Sequence, residues 1–464
     1  MHATFLFIIL LYNSMHAMAT VFRPRTLILF VGDIFFFTSA LWLSLLVRYL
    51  ELPTWEFFML HLEPFSILFA VWVAVYFIAG LYEGRSIILA RRALSSTLLW
   101  AQIVNMSIAA LFFFAVPLFG IAPKTILFVY LFVSFVLILL WRAILFPRLR
   151  LQKPENALVV GERAEVLEFA RVLSNSPFAP VRVAAVIKPD GVSVAEEIKT
   201  ALQKHRAHFI IADFSDPKIS KAFPEMYNFL SHGVRFFDAL ALYEAVLGRI
   251  PLSSLDDRWF ARNVSRYAHL LYDAVKRLMD IVVGLFLSLI PLVCYPIFAL
   301  IIKLQDGGSV FYRQIRMGQN NQPFVMLKFR SMSGTDQGDE VLQSKHVVTP
   351  FGKFLRVSRL DEFPQAWNVL KGDMSLVGPR PEFPALVEAY EKEIPYYGVR
   401  HLVKPGLSGW AQLYHDNHPH HGTEVEATRE KLSYDLYYLK HRSITLDAII
   451  ILKTIKKLLT RSGA

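Results

Sequence analysis

Ile281–Ile302 reads IVVGLFLSLIPLVCYPIFALII, and the way this run meets a membrane decides the architecture around it. Its 22 residues suffice to cross the hydrocarbon core, which takes about 20 apolar residues in a helix. Pro291 and Pro296 interrupt it. Each removes a backbone donor and kinks a helix, and in lipid the freed carbonyls need new partners. A straight crossing would also carry the strongly charged C-terminal part to the far side. A re-entrant helix over 280–303, which enters, breaks and returns to the same face, avoids that. A fifth crossing kinked by proline is the alternative.

Upstream, apolar runs dominate as far as about residue 147. Four spans are expected: Thr26–Val47, Pro64–Tyr82, Leu98–Ile121 and Thr125–Phe146, each near the length a membrane helix needs. Residues 3–12 are apolar but too short to span, and read either as a signal-like segment or as sequence preceding a start at Met15 or Met18. Arg23 and Arg25 precede the first span, Arg85, Arg91 and Arg92 separate the second and third, and Arg142, Arg148, Arg150 and Lys153 close the fourth. The opposite loops carry Glu51, Glu56 and Glu63 with Arg48, and only Lys124. The positive-inside rule then puts both ends of the bundle, and everything after about residue 147, in the cytoplasm. Asp33 lies inside the first span, either as a functional group or as a partner for Arg25.

Composition agrees with a membrane protein. Across 464 residues, 54% are hydrophobic and 19% charged, which excludes a disordered chain and argues against an ordinary soluble one. The net charge of +11 in such a chain points to basic membrane flanks and anionic ligands rather than nucleic acid. The single cysteine, Cys294, excludes an internal disulfide framework and a Cys-based zinc site.

Residues 155–250 alternate strand-like and helix-like segments. Strands are expected at Asn156–Val160, Val181–Ile187, Phe209–Ala212 and Val234–Phe237, with helices at Ala164–Leu173, Ala195–Lys204 and Lys221–Leu230, the pattern of a parallel α/β sheet. The first strand-to-helix turn, Val159-Val160-Gly161-Glu162-Arg163-Ala164, has one glycine where a dinucleotide fingerprint needs more, and Glu162 adds negative charge. A Rossmann-like domain with a structural or regulatory role is the expectation.

The densest chemistry lies at Phe351–Glu382, FGKFLRVSRLDEFPQAWNVLKGDMSLVGPRPE. Helical spacing would bring Lys353, Arg356 and Arg359 close to Asp361 and Glu362. Adjacent carboxylates among cations suit a magnesium ion with phosphate groups, and a carboxylate can itself attack a phosphoryl group; a solvated helix with ion pairs is the plain alternative. Pro379 and Pro381 stiffen the backbone around Arg380, which suits gripping a diphosphate.

From Tyr272 to the C-terminus the chain resembles the bacterial sugar transferase family, the polyprenyl-phosphate hexose-1-phosphate transferases or monotopic phosphoglycosyl transferases. The motifs are Lys276-Arg277-x-x-Asp280, Lys328-Phe329-Arg330-Ser331-Met332, Leu360-Asp361-Glu362-Phe363-Pro364-Gln365, Asn368 to Ser375, Gly378-Pro379-Arg380-Pro381-Glu382, Lys404 to Gln412 and Tyr434-Asp435-Leu436-Tyr437-Tyr438. Phe363 stands where leucine is common, and Leu292-Val293 stand where the family carries the Ser-Pro of its re-entrant break.

The resemblance implies transfer of a sugar-1-phosphate from a UDP-sugar to undecaprenyl phosphate at the cytoplasmic face of the inner membrane, with Mg2+ required and UMP released. It implies a phosphosugar held on Asp361, with Glu362 as partner carboxylate, both near the metal, and Lys328 and Arg380 as active-site cations. Arg330, Arg356, Arg359, Lys276 and Arg277 are further candidates for substrate contact. The architecture it implies is an extension at 1–25, a four-span bundle at 26–146, the Rossmann-like domain at 155–250 and a catalytic domain at 272–464. A homodimer suits the long subgroup with this arrangement.

Other readings have sequence tests. A membrane-anchored nucleotide-sugar epimerase or dehydratase would need a glycine fingerprint and a Tyr-x-x-x-Lys pair, and Tyr390 and Lys392 lack that spacing. A non-enzymatic scaffold would not need Asp361, Glu362, Lys328 and Arg380 together. The loop with His415, Asp416, His418, His420 and His421 reads as metal-binding, sugar-contacting or simply solvated, and Asp336, Asp339 and Glu340 as a polar loop. A closing helix at Thr445–Thr460 has one apolar and one lysine-bearing side, for the membrane surface or for the domain core.

Overall fold

The computed structural model describes residues 19–82, 94–115, 124–149, 154–176, 179, 181–189, 194–264, 270–333, 347–414 and 425–459. The segment at 3–12 with Met15 and Met18, the basic residues Arg85, Arg91, Arg92, Arg150 and Lys153, the acidic Asp336, Asp339 and Glu340, and the His415–His421 loop lie outside them. The chain divides into two compact units, Met1–Pro251 and Leu252–Ala464.

The first unit opens with helices Ala19–Tyr49, Trp55–Ile78, Leu94–Ala115 and Lys124–Leu140, the last continued by a π-turn at Trp141–Leu145. All four, with Leu270–Asp306 of the second unit, are long and apolar enough to cross a membrane, and they mark a membrane protein. The second helix starts at Trp55, not at Pro64, because Thr54 caps it by accepting from the Phe57 N–H at 3.4 Å and Pro64 is carried inside. Each helix packs on the next, and the fourth returns to the first. Phe37, Phe65, Trp72, Tyr76 and Tyr130 fill the centre. Gly32 lets the first and fourth helices close up, since a Cβ there would stand 2.1 Å from the Trp141 ring.

Asp33 pairs with Arg142, and the side chain of Arg25 lies outside the described ones. Arg142 Nε donates to Asp33 Oδ1 at 3.0 Å and its Nη2 to Oδ2, while the Tyr82 hydroxyl donates to Oδ2 at 2.5 Å and Arg142 Nη1 to the Leu81 carbonyl at 2.7 Å. Both charged side chains are buried.

Strands β1 (Glu155–Val160), β2 (Val181–Ile187), β3 (Phe209–Ala212) and β4 (Arg235–Asp238) form a parallel sheet in the order β2-β1-β3-β4. Alternate residues of β1 and β3 face opposite sides. Ala157, Val159, Phe209 and Ile211 pack under helices Ala164–Asn175 and Ala239–Leu247, and Leu158, Val160, Ile210 and Ala212 under Val194–His205 and Pro217–Ser231. Such two-sided burial is why the strands are near-continuous apolar runs. At the carboxyl ends of β1 and β3, Arg163 reaches across, with Nε 3.1 Å from Asp213 Oδ2 and Nη1 donating to Ser215 Oγ at 2.9 Å.

The second unit is organised on the helix Leu270–Asp306, which runs unbroken over Pro291 and Pro296. Asp280, Gly284, Ser288, Pro291, Phe298 and Ile302 recur at helical spacing along its buried side. Both ends pack on one α/β domain. Near the start, Tyr272 and Lys276 reach Asp447, and Asp280 accepts from Ser375 Oγ and the Leu376 N–H. Near the end, Phe298 and Ile302 join Phe329 and Leu355 in the core. That domain holds the antiparallel pair β5 (Phe311–Met317) and β6 (Pro323–Phe329), the short pair β7 (Met332–Ser333) and β8 (Val347–Val348), and the parallel pair β9 (Ser375–Val377) and β10 (Gly406–Ser408). The closing helix, Ile444–Leu459, packs on the domain: Ile449 and Ile450 are buried, Lys453 bonds the Tyr414 hydroxyl, and Lys457 donates to the Gln412 carbonyl at 3.1 Å.

Candidate active site

Thr349 starts a short helix, Pro350–Val357, by accepting from the Gly352 N–H at 2.9 Å. The helix does not continue into the carboxylates, as the spacing had implied. Arg359 adopts a left-handed conformation with φ of 59°, and a new 3₁₀ turn, Leu360–Glu362, begins there. A non-glycine residue in that region costs about 1–3 kcal/mol, and such strain gathers at functional sites. The turn presents Asp361 and Glu362, and Gln365–Lys371 follows as a further helix.

Asn368 on that helix fixes the neighbouring strand. Its Oδ1 accepts from the Leu327 N–H at 3.1 Å and its Nδ2 donates to the Val325 carbonyl at 2.7 Å. The next residue on β6, Lys328, then donates to Glu362 Oε1 at 2.8 Å. Arg380 Nη2 lies 3.9 Å from the same oxygen.

The two carboxylates are held in opposite electrostatic states. Burial, together with the charge on Glu362, pushes Asp361 up to about 6, although Lys328, Arg356 and Arg359 partly offset it. Burial acts on Glu362 in the same direction, but Lys328 and Arg380 outweigh it and hold that carboxyl down at about 2. Asp361 is 7% exposed, and its Oδ1 has no hydrogen-bond partner among the described residues. A buried oxygen left this way carries a desolvation cost that a ligand can relieve.

The structure thus brings Asp361, Glu362, Lys328 and Arg380 together, with Arg356 and Arg359 near enough to act on Asp361 through charge. Arg356 itself donates to Ser331 Oγ at 3.1 Å. Arg330 is buried against the Gly308 turn, 3.5 Å from Ser309 Oγ. Lys276 and Arg277 are both bonded to the protein. Lys276 pairs with the buried Asp447 at 2.8 Å, and Arg277 caps the helix end by donating to the Val369 and Leu370 carbonyls at 2.7 Å each.

Sequence reading missed Asn368 as the residue that sets Lys328, and it missed Gln314 and Arg316. The alternation Tyr312, Gln314, Arg316 on β5, a polar face opposite Lys328 in register, was the available signal.

Two carboxylates suit one hard cation that completes its shell with water and phosphate oxygens. Among the described residues no group of three or more His, Cys, Asp or Glu converges, so a fully protein-built cage is not present there. The unpartnered Asp361 oxygen fits the first arrangement.

Residues 271–461 match the family described as bacterial sugar transferase. The chain is 38% identical over 231 residues to the UDP-N-acetylgalactosamine-undecaprenyl-phosphate N-acetylgalactosaminephosphotransferase of Aeromonas hydrophila, covering 48% of this chain and 51% of that protein. It is 39% identical over 196 residues to a UDP-glucose:undecaprenyl-phosphate glucose-1-phosphate transferase of Caulobacter vibrioides, covering 41% of this chain and 72% of that one. An uncharacterized sugar transferase of Haemophilus influenzae is 29% identical over 347 residues, 67% of this chain and 70% of its own length. The chain spans about half the length of the Aeromonas protein.

Proposed function

Because this chain belongs to the bacterial sugar transferase family, we propose that it moves a sugar-1-phosphate from a UDP-sugar to undecaprenyl phosphate, releasing UMP, at the first membrane step of a surface polysaccharide. The observation that carries this reading is Asp361: a buried carboxylate with one unpartnered oxygen, ringed by cations and set beside a second carboxylate.

Asp361 attacks the phosphorus next to the sugar. The bond from that phosphorus to the bridging oxygen breaks and UMP leaves with the electron pair, so the sugar phosphate is esterified to the carboxylate. A phosphate oxygen of the lipid then attacks the same phosphorus and Asp361 is released, giving a lipid-linked diphosphosugar. Splitting the reaction lets the water-borne donor depart before the lipid acceptor engages. Lys328 and Arg380 offset charge on the phosphate oxygens, and Glu362, kept ionised by them, fixes both. Asp361 and Glu362 would hold magnesium, which supplies further neutralisation of the diphosphate.

The site belongs at the cytoplasmic face of the inner membrane in this reading. Support comes from the basic ends of the four-span bundle and from the long helix, both ends of which pack on one globular domain. The parallel α/β sheet is a Rossmann-like domain with a structural or regulatory role.

A UMP-release assay over a panel of UDP-sugars, with magnesium and undecaprenyl phosphate, tests the reaction. Omitting the lipid should leave about one UMP per enzyme and a sugar-phosphate adduct on the peptide containing Asp361. Turnover without any such adduct would reject the covalent route, and UMP release indifferent to the lipid would reject the acceptor.

A further inference from the structure

Pro379 and Pro381 cannot donate hydrogen bonds, yet the carbonyls around Arg380 are all taken. The Gly406 N–H donates to the Pro379 carbonyl at 3.0 Å, and the Met317 N–H donates to that of Glu382 at 2.8 Å. Between them, two guanidinium groups do what main-chain donors usually do. Arg400 Nη2 donates to the Arg380 carbonyl at 3.0 Å, and Arg316 Nη1 to the Pro381 carbonyl at 3.3 Å.

Both guanidiniums are themselves braced. Arg400, 1% exposed, places Nε and Nη2 at 2.9 and 2.7 Å from Asp435 Oδ2. Arg316 gives Nε and Nη2 to Gln314 Oε1 at 3.0 and 2.7 Å, and its Cζ lies 3.5 Å from the centre of the Phe383 ring. Glu382, the last residue of the segment, is locked by a salt bridge to Lys431. The main chain of Arg380 is thereby fixed from β5, from the turn bearing Arg400, and from β10.

We propose that Arg316 and Arg400 are positioning residues: they hold the backbone carbonyls of Arg380 and of Pro381 after it, so that the Arg380 guanidinium is set toward Glu362 and the donor diphosphate before substrate arrives. Resting on the transferase reading above, this adds two cations that never touch substrate. Preset donors cost no reorganisation at the moment of reaction, and a displacement of about 1 Å can cost roughly 100-fold in rate. An arginine is needed at 316 because a single ammonium cannot bridge Gln314 and the Pro381 carbonyl while lying flat on Phe383.

The test is a double-mutant cycle on UMP release, with full-length enzyme in detergent. Arg316→Lys should lower kcat by roughly 10- to 100-fold with donor KM changed much less. Arg380→Ala should lower it further, and in that background Arg316→Lys should add less than about twofold, because there is no side chain left to aim. Thermal unfolding midpoints are read in parallel, and Gln314→Met, which unbraces the same guanidinium, carries the cycle if Arg316→Lys melts early. Full activity in Arg316→Lys, or effects that multiply independently in an active enzyme, would overturn the assignment alone. A wild type that releases no UMP would overturn the transferase reading and this one with it.

Discussion

Two aspartates, one in the helical bundle and one in the second unit, are both buried beside arginine, and they do opposite things. Asp33 has each oxygen engaged by Arg142, with the Tyr82 hydroxyl completing the set. Asp361 keeps an unpartnered oxygen, and its cationic neighbours are shared with Glu362. A buried charge whose every oxygen is engaged is a structural clamp. One left short is held ready for something that is not yet there. Type of residue and depth of burial do not separate these cases; the accounting of partners does.

The same Asp→Asn change should therefore have different consequences at the two positions. At Asp361 the largest effect is on turnover: Asp361→Asn should cut UMP release by at least ~1000-fold, since the proposed nucleophile is removed while the surrounding cations remain. Retention of a tenth of the activity by purified protein would erase the distinction. At Asp33 the effect is on stability. Asp33→Asn leaves Arg142 buried without its counter-charge and should cost about 3–5 kcal/mol, seen as early unfolding in detergent. Turnover per folded molecule should persist.

A smaller effect of opposite sign sharpens the contrast. Asp361 is raised from 3.8 to about 6 in the folded protein. Its ionisation therefore opposes folding, with the penalty absent below about pH 4 and complete above about pH 6. Asp361→Asn should raise stability by about 1–3 kcal/mol at pH 8 without divalent cation, and the gain should fade as the pH drops toward 4. Equal stability of the two proteins at pH 8 would show that the site carries no stored cost. Smallest of all, Arg356→Ala, at an exposed position, should change stability by no more than about 0.5 kcal/mol in a thermal melt.

Legibility in the sequence followed the same divide between period and partner. Phe209–Ala212 was readable to the residue, because a strand buried on both faces writes itself as an uninterrupted apolar run. Asp361, Glu362, Lys328 and Arg380 were legible as a set through charge density and motif. The break at Arg359 was not, because helical spacing assumes a continuous helix and nothing in the residue type announces a left-handed turn. The protein partners of Lys276 and Arg277, Asp447 and two helix carbonyls, were not legible, since they lie 92 or more residues away in sequence. Asn368, Gln314 and Arg316 were silent for the same reason: their work is to hold other residues, and holding leaves no local pattern.

The long helix of the second unit has one flank fastened to its domain and the other, including Leu271, Leu278, Phe286, Val293, Leu300 and Leu304, uncovered by protein. That greasy ridge belongs to the transferase half itself. Cutting away the four-helix bundle would consequently not yield a water-soluble enzyme; the severed half would still demand lipid or detergent along the whole ridge. The bundle is thus free to serve some purpose other than simple tethering.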